Sequence, residues 1–145
     1  MLVSMKGDYG VRALIELALR YGEGPIQSSV IAARQAIPEP YLDQLLTSLR
    51  RAGLIRSVRG PQGGHSLVRP PHEVHLSEVL IALEGSLAPI SCLDDPAGCT
   101  RPVGCSLRDV WEQVHAATIG ILEAITIGDL ADKERAGANA ARYAI

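Results

Sequence analysis

Apolar residues recur at helical spacing through the first fifty positions. Val11, Leu14, Ile15, Ala18 and Leu19 share one stripe, which predicts a helix over residues 5–21, ended by Gly22, Gly24 and Pro25. Ser28 or Ser29 stands where it can N-cap a short second helix reaching about Gln35. Ala36-Ile37-Pro38 makes a tight connection. A third helix opens near Pro40, where the missing N–H costs nothing, and stops at Gly53. Its Leu42, Leu45, Leu46 and Leu49 follow the i, i+3, i+4, i+7 rule.

The period then changes. Residues 54–59 and 65–69 read as two strands joined by the turn Gly60-Pro61-Gln62-Gly63-Gly64, with Pro70 and Pro71 closing the unit. Three helices followed by a hairpin is the order of a winged helix-turn-helix. A fourth helix is predicted from Ser77 to Glu84, followed by an aperiodic loop of about twenty residues ending at Cys105. The last long helix runs from Ser106 to about Ile125. Its Leu107, Val110, Trp111, Val114, Thr118, Ile121, Leu122 and Ile125 form a near-heptad seam, with Arg108, Asp109, Glu112, Gln113 and Glu123 outside it. Such a seam needs a partner helix, so these eight residues are the expected dimer interface. The expected fold is mainly α with a small β-hairpin wing: a winged helix-turn-helix plus a long C-terminal dimerisation helix.

Composition narrows the function. The chain has 145 residues, is 47% hydrophobic and contains no Phe, four Tyr and one Trp. An aromatic platform for single-stranded bases is therefore excluded. No apolar run reaches the ~18 residues of a membrane span, and no leader pattern is visible. Three Cys is an odd count that fits a reducing cytosol, so a cytoplasmic location is expected. The net charge of −2 hides a split: residues 1–70 hold nine Lys/Arg against five Asp/Glu, and residues 71–145 hold five against eleven. The basic front half suits a polyanion.

The third helix carries the reading surface. At ~100° per residue, its Leu stripe turns inward and Pro40, Asp43, Gln44, Thr47 and Arg51 turn outward, with Tyr41 and Ser48 on the flank. An amide and a guanidinium suit adenine, guanine and phosphate, and Asp43 suits the N4 amine of cytosine. The rival reading is an ordinary solvated face; the adjoining helix, turn and hairpin favour double-stranded DNA. The hairpin carries Arg56, Arg59 and Arg69, and an Arg at a wing suits a narrow minor groove. Gln62 and Gly63 at its tip, with Ser28 opening the second helix, complete the expected DNA-contacting set. The turn lacks the Lys and following helix of a P-loop. The four His read as surface or packing residues. No Ser/His/Asp set, carboxylate pair or HExxH motif is present, so the chain reads as a non-enzyme.

Cys92, Cys99 and Cys105 gather in one loop with Pro89, Pro96, Gly98, Pro102 and Gly104. Three thiols that close can converge on an inorganic centre, and soft thiolates suit an iron–sulfur cluster. The paired Cys of a structural zinc site are missing. The rival reading is three incidental buried thiols.

Together these stretches resemble the IscR/NsrR-type (Rrf family) winged-helix regulators of bacteria over about residues 6–130. The matching segments are Lys6-Gly7-Asp8-Tyr9-Gly10-Val11-Arg12-Ala13, Tyr41-Leu42-Asp43-Gln44-Leu45-Leu46 and Leu49-Arg50-Arg51-Ala52-Gly53-Leu54-Ile55. Ser57-Val58-Arg59-Gly60-Pro61-Gln62-Gly63-Gly64, the three Cys and Ile127-Gly128-Asp129-Leu130 complete the match. The resemblance implies a homodimeric transcription factor, a repressor on a pseudo-palindromic operator. It implies that Cys92, Cys99 and Cys105 hold a 2Fe–2S or 4Fe–4S cluster sensing nitric oxide, redox or iron status. Some members place a His three residues after the last Cys, where this chain has Arg108. The nitric-oxide-sensing branch takes a carboxylate from the first helix of the other subunit, a position held here by Asp8. A nearby His or a small thiol is the alternative fourth ligand, and a plain helix N-terminal carboxylate is the alternative role for Asp8. Six residues between the first two Cys, rather than the commoner five, is a departure from the family pattern.

The expected organisation is residues 1–75 as the DNA-binding unit, 76–132 as cluster loop and dimerisation helix, and 133–145 as a flexible tail. Two rival functions are a cluster-free regulator using thiol switching or a metabolite or partner signal, and a small redox or cluster-carrier protein.

Overall fold

The computed structural model describes residues 3–98 and 104–143. Six α-helices and one hairpin follow in the order α1 (Met5–Leu19), α2 (Ser28–Gln35), α3 (Glu39–Arg51), β1 (Ile55–Val58), β2 (Gly64–Leu67), α4 (Leu76–Glu84), α5 (Ser106–Ala124) and α6 (Ile127–Tyr143). Short 3-10 turns lie at Pro71–Glu73, Ser91–Leu93 and Pro96–Gly98.

Helix α1 begins where the Ser4 hydroxyl accepts the Gly7 N–H. The predicted Ser cap of α2 is not used. Gln27 is its N-cap residue and makes no side-chain cap bond, while Ser28 is already helical. The Gln27 side chain is engaged elsewhere, on the hairpin. Strands β1 and β2 pair antiparallel in the register Ile55↔Leu67, Arg56↔Ser66, Ser57↔His65, Val58↔Gly64. Ile26 adds an isolated bridge to His65, with both backbone hydrogen bonds made.

One aliphatic core serves the whole molecule. Leu14, Ile31, Leu42, Leu45, Leu49, Val74, Val79 and Ile127 are all fully buried in it. Helix α1 is its axis and packs against α2, α3, α4 and α6. Gly10 lets α1 approach α4 closely, because a Cβ there would lie 2.1 Å from Leu83 Cδ1. The core is thus continuous across the boundary expected at residue 75. Val74, Val79, Leu83, Ile127 and Ala131 close it from the C-terminal side.

The corner between α5 and α6 is stitched to the chain before α4. Leu76 N–H donates to Ile125 O and Ile127 N–H to Val74 O, each at 2.8 Å. Thr126 and Asp129 cap each other reciprocally: each backbone N–H donates to the other's side-chain oxygen at 3.0 Å. Hydrogen bonding to the carboxylate, from the Thr126 backbone N–H first and the Thr126 side chain second, holds Asp129 below the ordinary carboxylate pKa.

A flexible tail was expected from residue 133, but the chain is helical to Tyr143. The Ala-rich segment has high intrinsic helix propensity. Arg135 also fastens it: its guanidinium donates to Ala18 O and Leu19 O, the last carbonyls of α1, and pairs with Asp132. Helix α5 is the exception to this packing, since none of its residues is buried.

Candidate nucleic-acid interface and cysteine loop

The amphipathic pattern of α3 places its residues as the sequence predicts. Leu42, Leu45, Leu46 and Leu49 are buried, whereas Pro40, Asp43, Gln44 and Arg51 are exposed. Thr47 and Ser48 are half-buried. Their hydroxyls donate back along the helix, Thr47 to Asp43 O at 2.9 Å and Ser48 to Gln44 O at 3.3 Å. Each therefore offers lone pairs outward rather than a proton. Tyr41 stacks edge-on against Tyr9, with centroids 5.7 Å apart, which ties the opening of α3 to α1.

The hairpin stands beside this helix. Arg59, Gln62 and the other tip residues are exposed, while Gly63 is buried. Gly63 has no room for a side chain, because a Cβ would lie 2.0 Å from Val58 O. Gly64, at φ 146°, also passes close to a backbone, and a Cβ there would lie 2.5 Å from Ile26 O. Gln27 Nε2 donates to Pro61 O at 3.1 Å, so the residue that opens α2 also holds the wing tip. Strand alternation puts Arg56 on the face opposite Ile55 and Ser57, where it borders a cavity of about 300 Å3 with Arg20, Tyr21 and Pro25. Arg69 is drawn away from the tip. It donates to Glu73 O at 3.1 Å and forms an ion pair with Glu78.

His65 has a larger part than its reading as a surface or packing residue allows. Its Nδ1 lies 2.7 Å from Ser57 Oγ and its backbone is bridged to Ile26. Burial lowers its pKa below the ordinary histidine value; Asp43 of α3 opposes that shift and Arg50 adds to it. The residue thus joins the wing to the segment before α2. Counting the hairpin register outward from Pro61 gives the Ser57–His65 pair; the neighbourhood of Asp43 has no sequence signal.

The cysteine loop has its own geometry. Cys92 lies in the 3-10 turn Ser91–Leu93, which packs against α5. Cys105 is the N-cap residue of α5. Both are half-buried. Cys99 lies outside the described residues. Two sulfur donors on adjoining elements, next to a helix N-terminus whose N–H groups favour negative charge, are a donor set of the chemistry an iron–sulfur cluster needs. Asp8 is about half exposed and pairs with Arg12 at 3.4 Å. The Arg12 guanidinium also lies 5.2 Å from the Tyr9 ring centroid. Among the described residues no three His, Cys, Asp or Glu side chains converge on one point.

Seven of the eight residues of the expected dimer seam lie on α5, and Ile125 follows it in extended backbone. Leu107, Val110, Val114 and Ile121 are 43–62% exposed, and Trp111, Thr118, Leu122 and Ile125 are half-buried. No helix among the described residues is long and apolar enough to cross a membrane.

Comparison with known proteins agrees with this arrangement. A family model described as Rrf2, iron-dependent transcriptional regulator, matches residues 3–133. The HTH-type transcriptional regulator CymR of Bacillus subtilis is 36% identical, with 90% of each chain covered. The regulator IscR of Aliivibrio salmonicida is 35% identical over 90% of this chain and 77% of its own. Among solved structures, CymR, the global cysteine regulator of B. subtilis, superposes with a TM-score of 0.77 over 92% of this chain and 98% of that one. IscR of T. potens gives 0.76 at 39% identity, over 92% and 88%.

Proposed function

We propose a function that starts from the chain's family: it belongs to the Rrf2 family of HTH-type transcriptional regulators, and we read it as an iron–sulfur-controlled repressor. It binds a pseudo-palindromic DNA operator as a homodimer, with two α3 helices about one helical turn, ~34 Å, apart. The exposed face of α3 reads bases, and Arg59 and Gln62 approach the adjacent backbone or minor groove. The unburied apolar face of α5 meets the same face of a second copy.

One observation carries the sensing role: Cys92 and Cys105 sit half-buried on two elements that pack together, with Cys99 between them in sequence. These three thiolates are the proposed ligands, and Asp8 of the other subunit is the proposed fourth. A bound cluster supplies a centre that reacts with nitric oxide or oxygen and changes its ligand demand. The chain's own part is to couple that demand to shape. Asp8 lies in the first turn of α1, and α1 packs against α2 and α3. Asp8, were it to complete the ligand set of a cluster held by the partner's cysteines, would tie α1 to the partner's loop and so bear on the spacing of the two reading heads; here it pairs with Arg12. The coupling free energy is of the order ~1–3 kcal/mol.

Anaerobic purification with iron and sulfide assays tests this reading. Stoichiometric iron and sulfide, lost in Cys92→Ala and Cys105→Ala, are expected. Asp8→Ala should retain fold and lose cluster faster in air; equal retention removes Asp8 as a ligand. A colourless protein after anaerobic reconstitution removes the cluster. Thiol switching is then the second reading, favoured by the solved oxidised form of Staphylococcus aureus CymR, 34% identical.

A further inference from the structure

A cleft of about 590 Å3 opens where α1, α2 and α6 meet. That volume is ordinary for a small-molecule site. It belongs neither to the α3 reading face nor to the cysteine loop. Its floor carries Glu16, a carboxylate 1% exposed on the core side of α1. One Glu16 oxygen accepts from Gln35 Nε2 at 3.0 Å. The other lies 2.7 Å from Arg34 Nε, yet off the line of that N–H, and no hydrogen bond reaches it.

Glu16 is held by one hydrogen bond and one ion pair, and the cleft opens beside that pair. The walls supply the rest. Arg20, Glu23 and Glu134 line the cleft, and none of their side chains forms an ion pair or hydrogen bond with another described residue. Arg34 lies over Glu16 with its side chain 62% exposed. Both signs of charge are therefore presented around one cleft.

We propose that this cleft binds a small zwitterion of the α-amino-acid class. Its ammonium meets Glu23 and Glu134, and its carboxylate meets Arg20 and the outer nitrogens of Arg34. A single cation or a single anion satisfies only half of the lining. The site has regulatory reach because α2 is the first helix of the helix-turn-helix and α6 follows the dimerisation helix. A ligand touching both ties their relative position.

Thermal shift and calorimetry on the full chain test the proposal, with the twenty proteinogenic L-amino acids supplied singly at millimolar concentration. At least one should bind saturably and raise Tm by about 9 °C at ~100-fold excess over its Kd. Acetate and ethylammonium, the two halves of the ligand, should give no shift. Arg20→Ala and Glu134→Ala should each weaken binding about tenfold, the scale of one charge-assisted hydrogen bond. Their Tm without ligand should match the parent, which reports intact folding. No binding by any amino acid overturns the proposal. So does an equal shift with acetate alone, or unchanged affinity in both variants. The assay contains neither DNA nor iron, so its outcome is separate from that of the cluster reading.

Discussion

Gln27 and Pro61 stand 34 positions apart, yet the Gln27 amide donates to the Pro61 carbonyl at 3.1 Å and so joins the start of α2 to the wing tip. The helix-turn-helix and the wing are thereby oriented as one surface. Gln27→Ala should lower operator affinity several-fold while costing at most about 0.5–1.5 kcal/mol of stability, the net value of one exposed hydrogen bond. Fluorescence anisotropy beside urea denaturation separates the two effects. Parent affinity in the variant would show that the wing orients itself without this bond.

Gly63 tests the wing more severely. Its missing Cβ faces backbone atoms of Val58 and Arg59, which cannot rotate aside. Gly63→Ala should cost about 1–3 kcal/mol, the range for forced overpacking. Loss of DNA binding should exceed what that destabilisation explains, because the hairpin tip itself must shift.

Arg59 is exposed next to the turn. Arg59→Ala should weaken binding to all sequences alike and reduce the slope of log K against log salt by about 1. A salt slope equal to the parent's would mean that Arg59 touches no phosphate.

His65 predicts a pH effect whose sign follows from its lowered pKa. Above ~6.5, the unperturbed histidine value, the residue is neutral whether folded or unfolded, and its environment carries no penalty. As the pH falls below that value the unfolded chain takes up a proton more readily, so stability declines until the folded pKa is passed. His65→Gln should flatten this part of the profile. Urea midpoints at pH 7.5 and 5.5 measure it, and the other three histidines are common to both proteins. An identical pH difference in parent and variant would remove His65 from the balance.

Helix α5 contributes no buried residue to its own chain. Ile121→Asp should therefore leave the fold intact and convert a dimer into a monomer. Light scattering with circular dichroism checks both halves of that statement. A dimer that survives the charge would place the interface elsewhere.

Much of this molecule is local and was legible before any coordinates. The Leu stripe of α3, the Gly-rich turn and the seam of α5 are each set by side-chain period, which one segment carries alone. The cysteine spacing and the acidic residue at the start of α1 were equally plain, and they brought the family into view. The path of residues 133–143 was not. An alanine-rich polar segment gives no sign of its docking partner, and Arg135 finds the end of α1 only after α4 and the Thr126 corner have turned the chain back.

Tertiary structure also decided which polar residues share a neighbourhood. His65 meets Ser57 by strand register and Ile26 by a backbone bridge to the segment before α2. Glu16, which lies outside the apolar stripe of α1, is nevertheless buried and acquires Arg34 and Gln35 from α2. Period determines which face of an element turns inward. Only the packing of elements distant in sequence determines what that face meets, because such contacts depend on the whole chain having closed around one core.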